Sequence, residues 1–439
     1  MKRRLSQIAI LICLIGLVCL AALGSAATNP VYAIRNARIV TVTGPVIPNG
    51  TIIIRDGKIA DVGANVGAPS GARVIDARGL SVYPGLIDSG TALGLTEIGS
   101  VAGTQDTTEI GQINPHIRTA VAINPHSELI PVTRVNGITT VLSAPRGGLI
   151  SGQSALINLA GWTPQEMVLK SPVAVHINYP SSTPRFGFGG PPPDEQQQPG
   201  EAGRSEAAAR QLNELRKVFR DAQEYARMWD AYSRNRQGGE PKIDLVLQSL
   251  VPVVKGELPV IISADTEADI KGAISFAEEM KLKFILSGVA DGWKVASLLK
   301  SKNVPVIVGS IHSLPRRADD PYDSIFANPG ILNKAGVKIA IQTGDAANVR
   351  NLPYEVAMAA AFGLPREEAL KAITIYPAEI LGVSDKVGSI EKGKIANLFI
   401  ADGDPLEVPT QVKYLFINGK QIDLKNRHSD LYEKFLNRP

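Results

Sequence analysis

Five histidines, His116, His126, His176, His312 and His428, are the side chains of this chain best placed by type to move protons or hold a metal near neutral pH. They are scattered. No His-x-His pair and no His-Glu-x-x-His run brings two imidazoles to one face. His116 and His126 each follow Asn-Pro, a turn setting in which an imidazole commonly serves local hydrogen bonding. His428 lies in a polar tail, and His312 follows an apolar run that could bring it to the mouth of a sheet or barrel. His176 is different. It stands inside Pro172-Val-Ala-Val-His176-Ile-Asn-Tyr179, where a strand would aim it at one face of a sheet. Asp345 is the accompanying carboxylate, either a general base or a cap on the helix that follows. Arg146-Gly147-Gly148 and Ser151-Gly152-Gln153 are glycine turns whose backbone can approach a ligand or anion, or simply shape a loop. No Gly-x-Ser-x-Gly elbow, phosphate loop or dinucleotide fingerprint is present.

The 439 residues are 44% hydrophobic and 20% charged, enough for a large buried core with a smaller domain beside it. Lys2, Arg3 and Arg4 precede an apolar run from Ile8 to Leu23 and then Gly24-Ser-Ala-Ala27, the pattern of a signal peptide over residues 1–26. The run is shorter than the ~20 residues of a span, so no stable membrane span is expected after cleavage, and the chain reads as exported, periplasmic or secreted. Both cysteines, Cys13 and Cys19, fall inside this segment, which leaves the mature chain without thiols. Losing the three basic residues takes the formal charge from +4 to +1. No basic stripe interleaved with aromatics exists, so nucleic acid is not an expected partner.

The elements that would position these residues come in two kinds. Tyr32 to Leu80 reads as short strands, with Asp56-Gly57 as a hairpin turn. Val387 to Ile422 has the same character, turning at Gly393 and at Asn418-Gly419. Neither set buries enough alone, so residues 33–80 and 387–424 are expected to share one small β-sandwich. Between them strands alternate with helical patterns, which implies a parallel sheet with helical crossovers. Eight candidate strands, Val82–Asp88, Ile138–Ser143, Ala155–Leu159, Val173–Tyr179, Val260–Ser263, Phe284–Ser287, Val304–Val308 and Val337–Gln342, are the number a (β/α)8 barrel needs over 81–386. A Pro- and Gly-rich loop at 180–204 would hang over the barrel mouth, a charged helix would follow at 205–236, and 425–439 would be a tail.

The run Pro84-Gly-Leu-Ile-Asp88 resembles the first barrel strand of the amidohydrolase superfamily. So do Gly137-Ile-Thr-Thr-Val141, Ala369-Leu-Lys-Ala-Ile-Thr374 with Pro377-Ala-Glu-Ile-Leu-Gly382, and Gly393-Lys-Ile-Ala-Asn-Leu398. The resemblance is strongest to the exported, imidazolonepropionase-like branch. It implies an α/β fold, a (β/α)8 TIM-type barrel plus a small β-sandwich, and hydrolysis of non-peptide carbon–nitrogen bonds at a divalent metal such as zinc. The family's ligands would be a His-x-His after strand one, a bridging group on strand four, one His each on strands five and six, and an Asp on strand eight. Carried over, these positions are Gly90 and Ala92, His176, Ser263, Ser287 and Asp345. Four imidazoles are therefore replaced by groups that do not select zinc, and no metal is expected.

The expectation is a protein with a degenerate metal site, acting as a non-catalytic or weakly active small-molecule-binding subunit. A site rebuilt from His176, Asp345 and His312, with Arg146 at the mouth, would instead make it an active hydrolase of cyclic amides. A homo-oligomer, or a hetero-oligomer with an intact amidohydrolase, is the third expectation.

Overall fold

Alternation along the first strands sets up the small domain. The computed structural model describes residues 30–183, 200–236, 239–317, 319–436 and 438. The expected signal peptide and most of the 180–204 loop lie outside them. β1 (Tyr32–Ile39), β2 (Ile47–Arg55) and β3 (Lys58–Gly63) form an antiparallel meander, with β4 (Arg73–Asp76) and β5 (Ser81–Pro84) parallel to β1. Asp56 and Gly57 turn the β2–β3 hairpin with φ of 51° and 79°, the two positive values such a turn needs.

The barrel follows. β6 (Leu86–Thr91) pairs in parallel with β7 (Ile138–Ser143). β8 (Ile150–Gln153) and β9 (Ala155–Asn158) continue each other through Ser154. β9 runs antiparallel to β7, and β8 antiparallel to β11 (Val175–Asn178), while β10 (Val168–Lys170) flanks β9. From β11 onward β12 (Val260–Ala264), β13 (Phe284–Gly288), β14 (Val306–Val308) and β15 (Ile339–Ile341) are parallel neighbours. The Gly344 N–H to Gly90 carbonyl bond, 3.0 Å, returns the last strand to the first. Eight positions around the barrel are thus filled, as the sequence predicts, but the third is antiparallel. The reason is length: only Ala144 to Leu149 separates β7 from β8, whereas a parallel crossover needs about a dozen residues.

β16 (Leu398–Ala401), β17 (Val412–Ile417) and β18 (Lys420–Ile422) bring the end of the chain back to β5. Both chain ends therefore share one sheet, ordered β18-β17-β16-β5-β1-β2-β3. The expected shared β-domain is built from this one sheet, on a core that includes Tyr32, Ile34, Ile52, Leu398 and Phe416. The charged helix spans Glu201–Arg234 and docks through Leu215, Phe219 and Tyr225, with the Phe219 ring edge-on to Phe276 at 5.7 Å. Residues expected as a tail carry a helix, Arg427–Leu436.

Candidate functional site

Strand register stacks the barrel interior in layers. Ile261 pairs with Ile285 and Ile307 with Ala340, and these side chains form an apolar floor with Ile87, Leu142 and Leu156. Two residues further along, Ser263 pairs with Ser287, and Gln342 stands two residues beyond Ala340. Period-two alternation points all three inward above the floor. They border a cavity of about 520 Å³ at the C-terminal ends of the strands, where barrel sites are built.

Gln342 occupies the middle of this layer. Its Oε1 accepts the Ser287 hydroxyl at 3.2 Å, and its Nε2 faces the Gly309 carbonyl at 3.5 Å. A Cβ on Gly90 would fall 2.2 Å from that Oε1. The carboxamide therefore fills the space into which a side chain at position 90 would project. Gly90 lines the cavity as expected, but Ala92 does not. Register shifts in β6 break its alternation, so Ser89, Gly90 and Thr91 all border the cavity, and Ala92 is buried behind them in a turn whose Leu95 and Thr96 N–H groups bond its carbonyl.

His176 also shifts in role. It pairs with Ile261, whereas Asn178 pairs with Ser263. The mouth layer of β11 thus holds Asn178, and His176 sits one layer lower, at the cavity floor rather than at the bridging position. Burial pushes its pKa down to about 4, so the imidazole is neutral at pH 7, and its Nε2 has no hydrogen-bond partner among the described residues. Ser89 Oγ, also on the lining, is equally unpartnered. Asn178 Nδ2 donates to the Gly148 carbonyl at 2.8 Å and fixes the glycine turn beside Arg146. The Arg146 guanidinium borders the cavity and donates to the Gly344 carbonyl.

The two remaining candidates lie elsewhere. Gly344 turns with φ +71°, and Asp345 swings out of the cavity. Its carboxylate accepts Asn348 Nδ2 at 2.6 Å and the Ala347 N–H at 3.2 Å, a local turn that holds it away from the cavity. His312 is exposed on the segment leaving β14 and does not line the cavity.

Two acids escaped the sequence reading. Asp88 is wholly buried and accepts the Gly90 N–H at 2.9 Å, the Thr343 N–H at 3.3 Å and the Thr343 hydroxyl, which ties β6 to the segment after β15. Glu355, on the helix Leu352–Ala361, accepts the Ile311 N–H at 2.7 Å and the Ser310 hydroxyl at 2.9 Å. Burial raises each to about 7, and the Asp88 charge adds to the rise at Glu355. Neither borders the cavity. A single acid in an apolar strand end was the available signal for Asp88; for Gln342 it was the step of two from Ala340.

The model of the amidohydrolase family matches residues 269–422. An amidohydrolase, tasK, of Hapsidospora irregularis is 20% identical over 84% of this chain and 39% of its own length. An imidazolonepropionase of Mesorhizobium japonicum is 30% identical over 36% of this chain and 37% of its own. The matched stretch thus spans well under half of either relative. An amidohydrolase structure from Thermotoga maritima superposes with a TM-score of 0.77 over 89% of this chain and 99% of that one, at 23% identity, and shares the fold. Residues 269–422 thus carry an amidohydrolase-family match, and the chain as a whole shares the fold of a solved amidohydrolase.

A divalent ion of the kind this superfamily implies requires several His, Cys, Asp or Glu side chains converging on one point. Among the described residues no group of three or more does so. The cavity lining offers one imidazole, and its one carboxylate, Asp265, is ion-paired with Arg316 at 3.1 Å. The other polar side chains are hydroxyls, carboxamides and the guanidinium of Arg146. This donor set does not fit the metal.

Proposed function

We propose that this amidohydrolase-fold protein binds a small polar molecule at the barrel mouth without metal-dependent hydrolysis. The composition of the lining carries the reading. One neutral imidazole, several hydroxyls, two carboxamides and one guanidinium can hydrogen-bond a ligand. They cannot polarise a carbonyl and generate hydroxide as a metal centre does. The unpartnered His176 Nε2 and Ser89 Oγ support it, because buried polar atoms are normally satisfied. A small amide-type molecule, with both donors and acceptors, matches this mixture. The rebuilt hydrolase centre loses its support, since Asp345 and His312 lie outside the cavity and His176 is too weakly basic to serve as the base near neutral pH.

Two measurements test this on the purified chain: metal content, and thermal shifts with a panel of small cyclic amides. The reading predicts far less than one divalent ion per chain and a shift with some panel member that Gln342→Ala removes. About one ion per chain that is lost in His176→Ala, or turnover of a cyclic amide abolished by the same change, would overturn it. Export through residues 1–26, and assembly with an intact family member, belong to the same proposal. Fractionation of the source cell and co-purification from it are their tests.

A further inference from the structure

The C-terminal helix, Arg427–Leu436, buries none of its residues. Leu431, Tyr432, Phe435 and Leu436 are spaced to form one stripe, and they are 39%, 66%, 54% and 65% exposed. An apolar stripe left open on an amphipathic helix calls for an occupant. The charges around it say which. Lys425 is ion-paired with Asp430 at 3.2 Å, and Arg427, Lys434 and Arg438 outnumber the remaining acids, Asp423 and Glu433. Lys434 Nζ and the Arg438 guanidinium lie 5.7 and 5.8 Å from the centre of the Phe435 ring, so cations stand at the edge of the apolar stripe. Apolar side chains bordered by cations fit the boundary between lipid tails and anionic headgroups.

The surroundings agree. The helix lies beside Leu129–Arg134, and that helix also walls the groove holding Trp162, which is 77% exposed. Exposed Trp and Tyr are suited to the headgroup level. Leu129–Arg134 precedes the start of β7, which puts this face at the end of the barrel opposite the mouth. A surface held here leaves the cavity open to water.

We propose that the C-terminal helix docks the protein peripherally on an anionic phospholipid surface. A second copy of the chain is the poorer occupant, because a self-paired face would set the same cations against each other.

The test uses the full chain, so that the N-terminal apolar segment is common to every sample. Co-sedimentation is measured with vesicles of phosphatidylglycerol and phosphatidylethanolamine, and with phosphatidylcholine alone. The proposal expects Leu431→Ser with Phe435→Ser to cut binding to the anionic vesicles by at least ~10-fold. Lys434→Glu with Arg438→Glu should cut it by a similar factor and leave binding to phosphatidylcholine unchanged. Circular dichroism should be the same for all, since the helix buries nothing. Equal binding by wild type and both double variants overturns the proposal. A fall in self-association of the Leu431/Phe435 variant without lipid, seen by sedimentation velocity, also overturns it and assigns the face to a second copy.

Discussion

Gly90 and Gln342 are the pair on which the reading of the mouth rests, and a double-mutant cycle tests them. Gly90 has no positive φ, so alanine fits its backbone. In a site without a neighbour, Gly→Ala would stabilise by about 0.4–1 kcal/mol through the unfolded chain. Here the new Cβ would lie 2.2 Å from Gln342 Oε1 and 3.2 Å from its Cδ. The carboxamide is the flexible end of its side chain, so it can swing aside. Doing so breaks its bond to Ser287 Oγ, a loss of about 0.5–1.5 kcal/mol, and leaves the hydroxyl unpaired in a nearly buried position. The two effects nearly cancel, and Gly90→Ala in the wild type should fall close to neutral or be mildly destabilising. With Gln342→Ala already made, the obstruction is gone, and the same substitution should stabilise. The coupling is thus about 1 kcal/mol, measurable from urea midpoints of the four proteins. Additivity within about 0.3 kcal/mol would show that Gln342 does not occupy the space beside Gly90, and the account of how the mouth is filled would fail.

Further outcomes follow from the buried groups. Asp88 ionises near 3.8 when unfolded and about 7 when folded, so the folded chain keeps the extra proton between these values. Stability should fall as pH rises through that window and level off above it; Asp88→Asn should flatten this slope, checked by urea unfolding from pH 4 to 8. His176 behaves oppositely, with an ordinary value of 6.5 and a folded value of about 4. It should withdraw stability as pH falls from 6.5 towards 4, and nuclear magnetic resonance should show its ring still neutral at pH 5; a midpoint near 6.5 would place it in water. Asp345→Ala should cost about 0.5–1.5 kcal/mol for the lost turn hydrogen bonds, and both it and His312→Ala should leave the ligand-induced thermal shift unchanged.

The sequence by itself carried the architecture. The Asp56-Gly57 and Asn418-Gly419 turns and the alternation around them marked strands at both ends, and the eight apolar runs marked the barrel, because burial imposes a local period on each segment. It also showed that Gly90 has no donor atom and that Ser263 and Ser287 offer only neutral hydroxyls, which do not select zinc, a fact of residue type alone. Direction and depth were decided only by the tertiary structure. The short Ala144–Leu149 link reverses the third strand, bulges in β6 turn Ala92 away, and the pairing of Asn178 with Ser263 drops His176 to the floor. Each depends on which residues stand opposite one another across strands distant in sequence. For the same reason only the folded barrel could bring Gln342 beside Gly90, two residues that sequence separates and that border one cavity at the mouth.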